Sequence, residues 1–283
     1  MTSIKILVAH HKPGITIESD MYLPIHVGKA ISRFCLNMQG DDVGDNISAY
    51  NPAFCEMTAV YWGWKNVDAD YIGLCHYRRF FTFMHNSIWG RTKNMLKYVF
   101  YSSIGNVFQH GVDFGYTDQI QSDSQVFKQN ALSFEKQLRE CLNNHRFDAI
   151  VPTPYRFACR DNESFFSVIG RDHISILKEL INDKYPEYSS FVNEALKSNS
   201  LFAANMSIFS RSFFHDYCSF IFPILMDHLE IVKSKGWCSD PLQEGCYSRV
   251  SGYLAELLTS AFIQKMLKEK KKVKFVNTMF LTV

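Results

Sequence analysis

Short apolar runs alternate along this chain with segments whose apolar residues recur at helical spacing, and turn residues separate the two kinds. Ile4–Ala9, apolar except for Lys5, predicts a buried strand ending at His10-His11-Lys12-Pro13-Gly14. Residues 24–34 predict a short helix, and residues 39–46 a polar loop. Asn51 followed by Pro52 has the chemistry of a helix N-cap and first helical residue. Ala53, Met57, Val60, Tyr61 and Trp64 would form that helix's apolar stripe. Residues 71–75 and 147–151 predict strands, the second closed by Pro152-Thr153-Pro154. Residues 174–181 and 188–196 predict helices, and residues 203–209 a strand carrying Asn205. Ser210 would cap a long helix that Pro223 should kink, since proline lacks the amide donor. Residues 252–270 predict the last helix and residues 273–276 a closing strand. Residues 86–130 are aromatic, Gly-containing and aperiodic, and predict an insertion. The alternation implies an α/β, Rossmann-like, mostly parallel sheet flanked by helices, in one domain over residues 1–283.

Composition narrows the class. Hydrophobic residues make up 47% and charged residues 20%, as in a globular chain with a sizeable core. A net charge of +2 gives no basic field for nucleic acid, so none is expected as a partner. The eight cysteines form no Cys-x-x-Cys pair, which removes the support for a zinc site. The chain opens directly into a strand without the apolar stretch of a leader, so a cytoplasmic location with reduced thiols is expected. Its most apolar stretch, residues 213–229, is interrupted by His215, Asp216, Asp227 and His228, and is not expected to span a bilayer.

The segment Asp70-Tyr71-Ile72-Gly73-Leu74-Cys75-His76-Tyr77-Arg78-Arg79 carries most of the chemistry. It reads as a buried strand running into histidine, tyrosine and two arginines. Ligands of open α/β sheets sit outside the carboxyl ends of the strands, and arginine's planar fork suits a phosphate or diphosphate. An arginine pair that only bridges neighbouring loops is the plainer alternative. His10-His11-Lys12 ends the first strand, and two cationic strand ends would share one crevice. Asp68-Ala69-Asp70 has the form of a metal-binding Asp-x-Asp, but it precedes its strand, where turn and stop roles are usual for aspartate. No cofactor is therefore implied, with arginines supplying the positive charge; a divalent metal stays open.

Three blocks resemble a bacterial family. They are Gly44-Asp45-Asn46-Ile47-Ser48 with Asn51 and Glu56 through Asn66, then the strand through Arg79, and finally Asn205–Phe209 with Arg249–Leu258. The family is a domain long described as of unknown function, found in capsule, exopolysaccharide and O-antigen gene clusters. Its members are regarded as glycosyltransferases, some linked to galactofuranosyl transfer. Leu257 departs from the family's last motif, where an arginine is expected. The resemblance implies a single-sheet GT-A fold. It also implies transfer of a hexosyl residue, galactosyl or galactofuranosyl among the options, from a nucleotide-diphosphate sugar, UDP-linked, to a saccharide or lipid-linked saccharide acceptor in surface polysaccharide synthesis.

On that basis Arg78, Arg79, His76 and Lys12 are candidates for the departing diphosphate, with His10, Tyr77, Asn205 and Arg249 also at the donor site. Asp45 and Glu256 are the candidate bases, and Arg78 joins them as catalytic. Arg249, Tyr253 and Glu256 would share one helix face, where Glu256 could equally be a structural partner of Arg249. Glu56 and Asn46 suit hydroxyl recognition. A nucleotide-sugar hydrolase or nucleotidyltransferase, or a non-catalytic sugar-binding subunit, would fit parts of the same pattern. A lipid-linked acceptor would demand peripheral contact with the inner membrane face, for which residues 88–101 and the lysine-rich residues 265–274 are candidates.

Overall fold

The computed structural model describes residues 2–85, 88–104, 115–116, 119–158, 161–237 and 249–281. In chain order, β1 (Ile4–His10), β2 (Tyr22–His26) and β3 (Gln39–Gly40) precede α1 (Asn51–Phe54), α2 (Met57–Asn66), β4 (Tyr71–His76) and β5 (Arg79–Thr82). Next come α3 (Ile88–Ile104), β6 (Gly115–Tyr116), β7 (Gln119–Ser122), α4 (Ser124–Asn144), β8 (Ala149–Pro152) and β9 (Tyr155–Phe157). They are followed by α5 (Asn162–Phe166), α6 (Arg171–Lys184), α7 (Ser189–Lys197), β10 (Ser200–Leu201), β11 (Ser207–Ser210), α8 (Arg211–Ser234), α9 (Val250–Lys268) and β12 (Val273–Leu281).

β3, β2, β1 and β4 lie side by side and parallel, with Ala9 opposite His76. Beyond β4 the direction changes. β11 is antiparallel to both β4 and β8, and β12 runs parallel to β8 with its first half. The second half of β12 pairs antiparallel with β5 and parallel with β7. Among the described residues the sheet is therefore mixed, with parallel pairings still the more numerous. A second, three-stranded antiparallel sheet, β10-β9-β6, departs from the expected single sheet, because its short strands pair with one another and not with the main sheet. Parallel neighbours need a crossover that returns the chain to the starting edge. Here the chain reaches β11 from the carboxyl end of β4, through a single turn at Ala203–Asn205. Gly73 permits the close pairing, because a Cβ there would stand 2.7 Å from the Ser207 carbonyl oxygen.

Two apolar layers cover the sheet. On one face Leu7, Ala9, Ile72 and Leu74 pack with α1, α2 and α5 to α9; on the other Ile6, Val8 and Cys75 pack under α4. α4 buries Phe127, Ala131, Phe134, Leu138 and Leu142, and the Asp123 carboxylate caps it by accepting from the Gln125 and Val126 amides at 2.9 Å. Thus part of the expected insertion, residues 86–130, is regular: it holds the whole of α3 and the start of α4, and residues 105–114 lie outside the described residues.

Two further expectations are corrected. Residues 24–34 are not a helix: β2 continues to His26, and one 3-10 turn spans Lys29–Ile31. The cause is the buried Asp41 carboxylate, which accepts from the Gly28 and Lys29 amides at 2.9 and 3.1 Å and pins a loop. Asn51 is the first residue of α1 rather than its cap. Its amide donates to the Cys55 carbonyl at 2.7 Å and to Thr58 at 3.2 Å, bracing a break between α1 and α2. α8 continues through Pro223 to Ser234.

Candidate active site

A cavity of about 840 Å³ opens at the carboxyl ends of β1, β2 and β4. Ala9, His11 and His76 come from the strand ends, while Gly28, Ile31, Arg33 and Phe34 come from the loop that Asp41 pins. Opposite them stand Pro52, Cys55 and Glu56, from the break between α1 and α2, and Arg249 at the start of α9. A smaller recess beside it is lined by Glu56, Arg249, Tyr253 and Glu256.

The backbone here is strained. Cys55 (φ 50°), Ala204 (φ 61°), Asn205 (φ 54°) and Arg249 (φ 71°) all take positive φ without being glycine. Such residues cost energy and persist only where surroundings over-determine them, commonly at functional sites. The surroundings do so here. The His76 Nε2 donates to the Ala204 carbonyl at 2.9 Å, and the Ala204 amide donates to the Glu256 carboxyl group. The Arg249 amide donates to the Pro52 carbonyl at 2.8 Å, tying α9 to α1. Gly252 completes that junction, since a Cβ would meet the Cys55 sulfur at 3.3 Å.

Below the cavity runs a buried hydrogen-bond chain. The Asn205 Nδ2 donates to Glu56 Oε1 at 2.9 Å and to the Gly252 carbonyl at 3.3 Å. Thr259 Oγ1 donates to Asn205 Oδ1 at 3.1 Å, so the Tyr217 hydroxyl, 2.8 Å from Thr259 Oγ1, donates in turn. This fixes the amide's orientation and presents it to Glu56 as a donor.

The charges are sorted by burial. The Glu256 carboxyl is pushed up to about 8, first by burial and then by the negative charge of Glu56, against the pull of the Ala204 amide, Arg79 and Arg249. His76 and His11 are both lowered, chiefly by burial, which keeps the imidazoles neutral. Burial also pushes the Cys55 thiol up to about 12, so it is a neutral packing group. Arg79 lies close enough to act on both Glu256 and Glu56, and its guanidinium stacks on the Phe280 ring at 4.6 Å. Arg33, Arg79 and Arg249 against Glu56 leave the region net positive at neutral pH. It can dock an anion and hydrogen-bond hydroxyls, and Glu256 can accept a proton once it ionises, at about pH 8 and above.

Six expected residues thus come together: Glu56, His76, Arg79, Asn205, Arg249 and Glu256. The others lie apart from the cavity lining. His10 is fully buried on the opposite face of the sheet, with its ring 5.6 Å from that of Tyr77. Lys12 stands 5.8 Å over the Tyr77 ring, and Gly14 closes against Tyr77, where a Cβ would be 2.6 Å from the ring. Arg78 donates to the Leu281 carbonyl at 3.3 Å. Asp45 accepts from the Tyr61 hydroxyl at 3.1 Å, and Asn46 donates to the Gly44 carbonyl at 2.8 Å, both within the 44–48 loop. Asp68 pairs with Arg211, and Asp70 accepts from the Ser3 amide at 2.8 Å, at the amino edge of the sheet. His11, expected at the crevice only as part of the run 10–12, lines the cavity. Arg33, Cys55 and Thr259 had no signal in the sequence.

Against known proteins, the chain matches the family model described as Domain of unknown function (DUF4422) over residues 5–269. With nearly its full length matched, the chain belongs to that family. It is also similar to a solved structure, the WbbM bifunctional glycosyltransferase in its apo form, with a TM-score of 0.78 and 26% identity. That likeness covers 99% of this chain and 46% of the other, so the chain spans about half the length of the protein it resembles. No curated protein matches the sequence significantly.

Proposed function

We propose that this chain is a glycosyltransferase of GT-A type, working as one domain, that moves a hexosyl residue from a UDP-linked sugar to a saccharide acceptor of a surface polysaccharide. The observation that carries this reading is Glu256. It is a carboxyl with high proton affinity, set between Arg79, Arg249 and Glu56 beside a cavity of about 840 Å³. That volume suits a nucleoside diphosphate sugar, within the usual range of ligand sites. The similarity to half of a bifunctional glycosyltransferase supports the same reading.

In this mechanism Arg249 and Arg33 hold the diphosphate through charge-assisted hydrogen bonds. Arg79 lies deeper and balances negative charge as the bond to the leaving diphosphate breaks. Glu56, oriented by Asn205, accepts hydrogen bonds from hydroxyls of the sugar. Glu256 takes the proton of the acceptor hydroxyl as that oxygen attacks the anomeric carbon. A carboxyl near 8 is a stronger base than a solvated one, while still ionising near neutral pH. In this reading Arg33, Arg79 and Arg249 supply the positive charge that meets the diphosphate.

Incubating the protein with a panel of nucleotide sugars and oligosaccharide acceptors, with and without EDTA, tests the proposal. Release of nucleoside diphosphate that depends on acceptor, with a lengthened product by mass spectrometry, is expected. Release to water alone would make the chain a hydrolase. Absence of both turnover and stabilisation by UDP would reject the donor site.

A further inference from the structure

α3 is built inside out. Gly90, Asn94, Tyr98 and Tyr101 recur at i, i+4, i+8 and i+11 and are the half-buried positions that face the protein. On the opposite side stand Ile88, Trp89, Met95, Leu96, Val99 and Phe100, each between 51% and 86% exposed. A helix of a globular domain turns its apolar stripe inward and its polar face to water. Here the small and polar stripe is inside, and an aromatic and aliphatic stripe points out.

The charges of the helix match one kind of partner. α3 carries Arg91, Lys93 and Lys97 and no acidic residue. At 100° per residue, Lys93 and Lys97 flank the edge of the stripe that ends at Phe100. An apolar face with Trp and Phe, rimmed by lysine, is the pattern of a helix lying in the boundary between headgroups and acyl chains. A protein groove would have no reason to exclude every carboxylate from the helix, whereas an anionic leaflet would.

The lysine-rich stretch 265–274 is different. Lys265 pairs with Glu269 at 2.6 Å, Lys268 lies over Phe191 at 5.0 Å, and Lys271 lies over Phe213 at 5.6 Å. Those side chains are occupied within the fold. No helix among the described residues is long and apolar enough to cross a membrane, so contact through α3 would be peripheral.

We propose that α3 docks this protein on anionic lipid bilayers, with Trp89, Leu96 and Phe100 entering the interface and Lys93 and Lys97 meeting acidic headgroups. The helix is joined to the candidate active site. The Asn199 amide donates to the Tyr98 hydroxyl at 3.1 Å and to the Phe157 carbonyl at 3.1 Å, and the Phe157 ring contacts Phe165, which contacts Tyr253 of the recess. Docking would therefore hold the recess at a fixed setting relative to the bilayer. This inference stands independently of the transfer reaction.

The test is co-sedimentation of the full chain with vesicles of phosphatidylcholine, with or without phosphatidylglycerol, alongside sedimentation velocity without lipid. Binding is expected only to the mixed vesicles, and it should be lost at 1 M salt, where the screening length falls to about 3 Å. The double variant Lys93→Gln with Lys97→Gln should weaken partitioning about thirtyfold, at about a kcal/mol per charge. The triple variant Trp89→Ser, Leu96→Ser and Phe100→Ser should weaken it by more than about tenfold, with an unchanged melting temperature because these side chains are exposed. Failure of the native chain to bind mixed vesicles, or undiminished binding by the triple variant, would overturn the proposal. So would a dimer in solution that the triple variant abolishes, since the face would then belong to a second copy.

Discussion

The two faces of the sheet meet different fates at the carboxyl ends of β1 and β4. On one side His11 and His76 line a large cavity with Arg249 and Glu56. On the other, His10 packs against Tyr77, with Lys12 and Gly14 folded over the same ring. Side chains alternate along the two strands, and Tyr77 sits at the seam between the faces, its ring 5.6 Å from that of His10 and 5.2 Å from that of His11. His10, His11 and Lys12 thus gather around one ring, yet of the three only His11 lines the cavity, and burial lowers both histidines so that the run is not a cationic cluster.

The largest expected effects break this comparison directly. Glu256→Gln should lower turnover by about 10²–10⁴, the range for losing a general base, with the fold intact by circular dichroism. His10→Gln should leave kcat within about threefold, since the His10 side chain does not line the cavity, and should change the melting temperature instead. Equal losses in both variants would erase the distinction between the faces.

Next in size is the arginine comparison. Arg249→Ala should cost about 10²–10³ in turnover, the scale of one lost donor at a developing charge. Arg78→Ala should cost less than about tenfold, because its guanidinium serves the Leu281 carbonyl. Steady-state kinetics with one donor would settle the order, and a reversed order would move the diphosphate away from Arg249.

These contrasts mark what the sequence could and could not disclose. β1, interrupted only by Lys5, and β4 were legible as short apolar runs, and α9 as a long, strongly apolar segment without proline and, after Gly252, without glycine. The meeting of Glu56, Asn205 and Glu256 was legible only as separate motif positions, since three distant segments bring them together. The Gly44-Asp45-Asn46 block invited a chemical role. Its residues instead build a turn: Gly44 takes φ 70°, a Cβ there would collide with the Asn66 side chain, and Asn66 Nδ2 donates to the Asp45 carbonyl at 2.8 Å. α4 was missed although its Phe127, Ala131, Phe134, Leu138 and Leu142 follow helical spacing, because it begins within a stretch taken as aperiodic. The direction of β11 had no local signal at all, being set by where the chain enters the sheet.

Two smaller effects concern stability. Asn205→Ala should cost about 1–3 kcal/mol, since it leaves Glu56 and Thr259 without their buried partner; chemical denaturation would measure it, and no change would mean the hydrogen-bond chain is incidental. Acid should also destabilise the protein. His10 is lowered to about 4 and His228, facing His173 at 3.2 Å, to about 3, both mainly by burial, from an ordinary value of 6.5. Between 6.5 and those values the unfolded chain binds more protons than the folded one, so stability falls as pH falls through that window. Glu256, raised to about 8, works the other way, but below 6.5 the two histidines outweigh it, so melting temperatures measured from pH 6.5 to 4 should drop, and less steeply in His10→Gln.

The most direct test of the central claim is the pH dependence of kcat/KM for transfer, which reports the ionisation of the free enzyme's groups. If Glu256 is the base, it must lose its proton to work, so the wild-type rate should rise with pH along a limb centred at about 8. That limb should vanish in the residual activity of Glu256→Gln. A limb in the ordinary carboxylate range, or the same profile in both proteins, would contradict the assignment of Glu256 as the base.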